Sequence, residues 1–116
     1  MENCIFCKIV RREIPSDKIY EDENLLAFND IKPAAPIHFL LIPKRHIDSL
    51  SDVQDIHQSL LGKMLLLAPQ LAKDRGCENG FRTIINTGPV GGQEIFHLHF
   101  HIIGGRDRLP GMIHSG

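Results

Sequence analysis

The chain has 116 residues, a length that suits one domain with a single modest core, so we predict one domain over residues 1–116. Its 13 basic and 14 acidic residues give a formal net charge of −1. This balance argues against a general nucleic-acid-binding protein, which needs an excess of Lys and Arg, but a local site can still bind a small anion.

The N-terminus and the apolar runs carry no sign of export or of membrane insertion. The start, Met1-Glu2-Asn3-Cys4, lacks the basic and apolar regions of a signal peptide. The longest apolar runs, at residues 37–42 and 64–68, are far too short to cross a bilayer. We therefore expect a cytoplasmic protein with no membrane partner.

The N-terminal part of the chain is predicted to form a short helix or turn and three strands. The helix or turn covers residues 4–10. Strand-like runs at residues 18–20 and 25–28 flank an acidic turn and predict a hairpin. A third strand over residues 38–42 should stop at Pro43.

A long helix is predicted next. Ser51 and Gln54 have the spacing of a capping box, and the helix should run to about Arg75, before Gly76. Pro69 should kink it or remove a hydrogen bond. Its apolar residues between positions 60 and 68 occupy more than one helical stripe, which favours a homodimer that buries a second face. A thick monomer core is the alternative.

Two further strands, over residues 81–86 and 96–103, complete the prediction. Five strands in hairpin-like succession with one long helix give an antiparallel α+β domain.

The last strand carries alternating histidines, His97-Leu98-His99-Phe100-His101. Successive side chains of a strand point to opposite faces, so the three imidazoles share one face and the apolar residues share the core face. Three histidines are costly as plain core because each brings polar nitrogens that need partners. Two functional interpretations remain open: metal chelation by His-x-His, or a nucleophilic histidine oriented by its neighbours.

Two of the three cysteines, Cys4 and Cys7, have the CxxC spacing that suits two thiolates on one zinc ion. Unligated, packed cysteines are the alternative, and a structural disulfide framework is not expected in a reducing compartment. Cys77 has no partner in the sequence pattern and is predicted to be packed.

Residues 97–103 match the signature His-φ-His-φ-His-φ-φ, where φ is apolar, and on this basis the chain resembles the histidine-triad (HIT) family. Further segments resemble its Hint branch, the purine nucleoside phosphoramidases, in a bacterial-type form. These segments are Ile5-Phe6, Arg11-Arg12-Glu13-Ile14-Pro15, Ala27-Phe28-Asn29-Asp30-Ile31, the stretch from Pro36 to Lys44, and Gly91-Gly92-Gln93-Glu94 through Gly104-Gly105-Arg106.

The resemblance implies a HIT-like fold, with a five-stranded antiparallel sheet, one long and one short helix, and sheets joined across a homodimer. It implies an enzyme that binds a purine nucleotide (AMP, GMP or a derivative) and cleaves its bond to an amine through a nucleotidyl-histidine, with no cofactor required for catalysis. Alternatives are a diadenosine polyphosphate hydrolase, a non-catalytic AMP-binding or interaction module, and an iron-dependent oxygenase built on strand histidines.

The resemblance also implies roles for individual residues. The catalytic set is His38, His97, His99 and His101, in which His99 is the nucleophile, His101 a donor to the phosphate oxygens, and His38 a relay of the proton to the leaving group. Asp30 holds the ribose hydroxyls, a task that suits a carboxylate. The remaining nucleotide-binding positions are apolar walls around the base, for which plain core is the alternative, and polar positions near the phosphate: Ile5, Phe6, Ile9, Phe28 and Ile31; Asn86, Gly92, Gln93 and Glu94.

Three further features come from the resemblance. His46 and His97 match positions that complete a Cys₂His₂ zinc site with Cys4 and Cys7 in some relatives, and four protein ligands would make such a zinc structural. Glu94 stands where the eukaryotic branch has a serine, and it introduces a group that can act as acid or base. The tail after residue 106 has no Trp, whereas eukaryotic relatives place an aromatic residue of this tail near the partner's active site, and the sequence leaves the role of the tail in selectivity open.

Overall fold

The computed structural model describes residues 3–113, and within them an antiparallel sheet has the strand order β1-β2-β3-β5-β4. All four strand pairings are antiparallel, which confirms the predicted fold class. The elements are α1 (Ile5–Val10), β1 (Lys18–Glu21), β2 (Leu25–Asn29), β3 (Ile37–Pro43), α2 (Gln58–Asp74), β4 (Arg82–Ile84) and β5 (Phe100–Gly104).

Both faces of the sheet are covered. The core beneath α2 contains Leu25, Ala27, Phe39 and Leu41 from the strands. The alternate strand residues turn to the other face, where a smaller core forms around Phe6 of α1. Burial on both faces explains why β2 and the centre of β3 are continuous apolar runs rather than alternating ones.

The start of α2 differs from the prediction. Ser49, not Ser51, caps a 3₁₀ turn over Leu50–Asp52 by accepting from the Ser51 N–H. A second 3₁₀ turn over Asp55–His57 follows, and there the capping box joins Gln54 and His57. The α-helix begins only at Gln58, with His57 at the N-cap position, six residues after the predicted cap Ser51, and it contains Pro69 as expected.

One stripe of α2 lies on the sheet and another faces outwards. Met64, Ala68, Leu71 and Ala72 are buried. Two leucines of the outward stripe are left uncovered, Leu65 at 57% exposure and Leu66 at 78%. The apolar residues of the second helical stripe are therefore exposed on the surface of the single chain. Within residues 3–113 no helix has the length and apolar character needed to cross a membrane.

The last two strands are shorter than predicted. β4 covers only Arg82–Ile84, and β5 begins at Phe100, so His97 and His99 lie in the extended segment before the strand. The strand register would pair residue 98 with Pro43, because Phe100 pairs with Leu41. Proline has no N–H to offer, and the pairing ends there.

Candidate active site

The three triad histidines keep their common face although only His101 lies in β5. The rings of His99 and His101 have centroids 4.9 Å apart. Phe6 of α1 packs edge-on against His99 at 5.2 Å and against His97 at 5.9 Å. On the opposite face, Phe100 and Ile102 belong to the core under α2.

A main-chain contact fixes the orientation of His99. Its Nδ1 lies 2.7 Å from the carbonyl oxygen of His97, and a carbonyl only accepts, so Nδ1 carries the proton. In a neutral ring, Nε2 then has a free lone pair. Burial lowers the pKa of His99 below its usual value, so the ring is neutral at neutral pH. This is the state that a nitrogen nucleophile requires.

A chain of contacts fixes the orientation of His101. The Ala34 N–H donates to Nδ1 of His38 at 3.0 Å, so Nε2 of a neutral His38 carries the proton. That Nε2 lies 3.0 Å from Nδ1 of His101 and 3.4 Å from a carboxylate oxygen of Asp30. His101 therefore accepts at Nδ1 and keeps its own proton on Nε2, where it can donate.

Burial is the main cause that keeps these rings neutral. It lowers the pKa of His101 to about 4, with smaller contributions from the neighbouring rings of His99 and His38. It also lowers the pKa of His38, against the opposing effect of Asp30. Imidazoles that would be half protonated near pH 6.5 in water are thus kept uncharged.

A cavity of about 530 Å³ opens in front of His99 and His101, a size typical of small-molecule sites. The predicted site residues that line it span both the base and the phosphate positions. They are Phe6, Asp30, Ile31, Asn86, Gly92, Glu94, His99 and His101. The cavity therefore brings two acidic residues, apolar walls and two oriented imidazoles together.

Other predicted residues lie outside this lining. Phe28 is buried behind Phe6, with ring centroids 5.5 Å apart. Ile9 packs beside the same small core, and Ile5 lines a different cavity. Gln93 is buried, and its side-chain amide donates to the main-chain oxygens of Asp48 and Ile95. These four residues support the walls from behind or from the side.

The loop before the triad is a tight turn whose amides are already in use. Gly92 has φ +78°, a conformation that favours glycine. Its N–H donates to Pro89, and the N–H of Gln93 donates to Gly88. Asn86 donates from its side chain to Gly91 at 2.8 Å. The main-chain N–H groups of Gly92 and Gln93 are thus not free for a phosphate, whereas the Nε2–H of His101 is an oriented donor beside the cavity.

A second cluster joins both cysteines of the CxxC pair with His46 and His97. All four ligand atoms lie within 4.8 Å of one another. Nδ1 of His97 is 3.3 Å from Sγ of Cys4 and 3.5 Å from Sγ of Cys7, and Nδ1 of His46 is 3.2 Å from Sγ of Cys7. Cys77, by contrast, is buried in the core under α2, as predicted.

This donor set fits a zinc ion. Tetrahedral zinc, with Zn–S of about 2.3 Å and Zn–N of about 2.0 Å, separates a sulfur from a nitrogen ligand by about 3.5 Å, close to the distances above. Burial and the neighbouring Cys4 raise the pKa of the Cys7 thiol to about 11, so a thiolate there needs a cation at hand. Four protein ligands leave no open position, so zinc would supply a cross-link rather than chemistry.

Some residues at these sites were missed by the sequence reasoning. Leu40, Ile95 and the exposed cation Lys32 line the cavity beside the predicted residues. The positive charge of Lys32, two residues after Asp30, is the signal that points to it, since an anionic ligand favours cations at the rim. Asp48, which contacts His46, carried no motif signal.

The fold and the triad geometry define the class of protein: an α+β domain with three aligned histidines at the start of a sheet strand. Comparison with known proteins shows that the chain belongs to the histidine-triad family. The family model described as "Scavenger mRNA decapping enzyme C-term binding" matches residues 3–115.

Individual relatives agree with this assignment. Protein HitA of Neisseria gonorrhoeae is 59% identical over 90% of this chain and 97% of its own length. The purine nucleoside phosphoramidase of Escherichia coli K12 is 47% identical over 99% of this chain and 98% of its own. The crystal structure of a HIT family hydrolase from Legionella pneumophila Philadelphia 1 superposes with a TM-score of 0.88 at 48% identity, over 90% and 95% of the two chains. The chain is thus an enzyme of this family.

Proposed function

We propose that this enzyme hydrolyses purine nucleoside 5′-phosphoramidates, the bond between the phosphorus of a nucleoside monophosphate and an amine. The observation that carries the proposal is the neutral His99, whose Nδ1–H is held by a carbonyl while Nε2 stays free beside the nucleotide-sized cavity. The name of the Escherichia coli relative, at 47% identity over nearly the whole chain, supports the substrate class.

The proposed reaction has two steps. In the first, Nε2 of His99 bonds to the α-phosphorus and the P–N bond to the amine breaks. The departing nitrogen takes the proton from Nε2 of His101, whose ring is held at Nδ1 by the Nε2–H of His38. In the second, water attacks phosphorus, its proton returns to Nε2 of His101, and the Nε2–P bond of His99 breaks, which releases the nucleoside monophosphate and restores both imidazoles. Phosphoryl transfer mainly needs this positioning and charge stabilisation.

Intact-mass spectrometry of the protein quenched during turnover of adenosine 5′-phosphoramidate tests the proposal. We expect an added AMP mass that maps to His99, and no turnover by His99→Ala. His57→Ala, which changes a histidine outside the cavity, is the matched control and should turn over. Steady turnover of the wild type without a trappable adduct would favour direct attack by water. Rates of hydrolysis of diadenosine polyphosphates, measured in parallel, test whether these compounds are the better substrates.

We also propose that Cys4, Cys7, His46 and His97 hold a structural zinc ion. The S–N distances near 3.5 Å and the complementary donor types support it. Elemental analysis of the purified protein should give about one zinc per chain, and Cys7→Ser should abolish it. Cys77→Ser should retain it. A wild-type protein that takes up no zinc from a zinc-containing buffer would contradict the proposal.

A homodimer is the third part of the proposal. The exposed Leu65 and Leu66 support it, because uncovered apolar side chains of this size favour burial against a partner. Light scattering after size exclusion should give twice the chain mass for the wild type and a single-chain mass for the variant with both leucines changed to Lys. Ile56→Lys, at another exposed apolar residue, should stay dimeric. A monomeric wild type would refute the proposal.

A further inference from the structure

The segment that carries the nucleophile is fastened to the loop that follows β3. The N–H of Leu98 donates to the Ile47 oxygen at 2.7 Å. The side chain of Gln93 donates to the main-chain oxygen of Asp48 at 2.8 Å. Residues 93–98 therefore take their position from residues 43–48, and both segments contribute a histidine to the proposed metal cluster.

Each of these two histidines is held by a partner on its far nitrogen. Nε2 of His97 donates to the main-chain oxygen of Pro43 at 2.7 Å. Nε2 of His46 lies 2.5 Å from Oδ1 of Asp48. With the proton on Nε2, both rings present an unprotonated Nδ1 to the thiols, as metal ligation requires. The two partners differ in kind, because Pro43 contributes a main-chain oxygen and Asp48 a removable carboxylate.

His97 also links the metal cluster to the nucleophile. Its ring belongs to the cluster, while its main-chain oxygen accepts the Nδ1–H of His99 at 2.7 Å. A shift of the His97 ring therefore moves the carbonyl that orients the nucleophile. Since His97 is 0% exposed, its ring has no room to move without its neighbours.

We propose that Asp48 is a positioning residue: through His46 it sets the affinity for zinc, and through the zinc-bound His97 it sets the orientation of His99. The inference rests on the zinc site proposed above. The Asp48 side chain is 60% exposed, so as a simple surface ion pair it would matter little. As the outer partner of a metal-ligating imidazole it fixes the tautomer and the orientation of the ring, which is worth about 10- to 100-fold in metal affinity.

Titration with Co²⁺, followed by displacement with Zn²⁺ against a chromophoric chelator, measures this affinity without any activity assay. We expect a tetrahedral cobalt spectrum in the wild type and a zinc affinity about 10- to 100-fold lower in Asp48→Ala. Asp48→Asn should lose less, because its amide oxygen can still accept from His46. Asp74→Asn, which removes an exposed carboxylate at the end of α2, is the matched control and should match the wild type.

A second measurement follows the nucleophile itself. The Nδ1–H of His99 is buried and hydrogen-bonded, so it should give a slowly exchanging proton signal in NMR spectra of the zinc-loaded protein. At a zinc concentration between the dissociation constants of the wild type and Asp48→Ala, the signal should broaden or vanish in the variant alone. Excess zinc should restore it.

The outcomes separate this inference from the proposed reaction. Equal zinc affinity in Asp48→Ala and the wild type would overturn it, as would a His99 signal that is indifferent to zinc. A wild type that binds neither Co²⁺ nor Zn²⁺ would overturn both the zinc site and this inference. A missing AMP adduct, alongside a zinc affinity that depends on Asp48, would refute the proposed reaction and leave the inference standing.

Discussion

The acid side of the pH–rate profile tests how the active-site imidazoles are kept neutral. Burial lowers the pKa of His101 to about 4 and lowers that of His99 as well. At pH 5.5 an imidazole with the ordinary pKa of about 6.5 is about 90% protonated, whereas one with a pKa of about 4 is only about 3% protonated. A lowered pKa thus means that the neutral, active form persists as the pH falls. We expect kcat/KM to fall between pH 7 and pH 5.5 by less than the roughly eightfold loss that a nucleophile with the ordinary pKa of about 6.5 would show.

Initial rates of phosphoramidate hydrolysis between pH 5 and 8, corrected for acid hydrolysis of the substrate, measure this profile. The free energy of unfolding, unlike the rate, should fall clearly as the pH is lowered. Below about pH 6.5 the unfolded chain takes up protons that the native histidines do not, so the free energy of unfolding decreases towards pH 4. Circular dichroism at each pH must therefore show that the protein is still folded. A tenfold loss of kcat/KM at pH 5.5 in folded protein would refute the reasoning.

Three substitutions test the walls of the site. Phe6→Ala removes a buried ring that packs against His99, and urea unfolding should show a loss of about 3–5 kcal/mol. Gln93→Ala leaves buried main-chain groups without partners, and the same measurement should show a loss of about 1–3 kcal/mol. Asp30→Ala removes the proposed partner of the ribose, worth about 1.5–3 kcal/mol for a charged hydrogen bond, so KM should rise roughly ten- to hundredfold while the urea midpoint changes little. An unchanged KM would exclude this role.

The sheet and its core were predictable from the sequence because the apolar pattern that marks a buried strand is local. The runs in β2 and β3 are short and apolar, and a buried strand is the element such runs favour. The predicted ends of these strands differ from the structure by one residue at most. The family resemblance supplied the fold itself, since patterning alone does not order the strands.

The predicted start of α2 was wrong because capping signals are short and overlap. Ser49, Ser51 and Gln54 all precede the helix, and each is a residue type that can cap. The capping box of the structure uses His57, whose Nδ1 accepts from the Gln54 N–H at 2.9 Å. Histidine is not among the residues expected at that position of the box, so the sequence favoured the wrong pair.

The predicted bounds of β5 were wrong. Alternation shows which face each side chain lies on, but the length of a strand depends on the neighbouring strand with which it pairs. His97 and His99 alternate as a strand would, yet the neighbouring strand β3 ends at Pro43, and the Pro43 oxygen accepts from the His97 ring. The proposed role of Asp48 could not be predicted from the sequence for a related reason. Two residues apart, His46 and Asp48 meet through the shape of a loop, and no periodicity describes that shape.

The three triad histidines are not equivalent, although the sequence pattern presents them as equals. His99 and His101 line the cavity with their rings, whereas the His97 ring turns to the thiols and only its main-chain oxygen reaches the nucleophile. Any residue at position 97 has that oxygen, so the carbonyl contact alone does not require histidine. With the zinc ion proposed above, the imidazole would add a ligand for a cross-link to α1, the helix whose Phe6 packs against His99. The requirement for a histidine at position 97 should therefore depend on the cysteines.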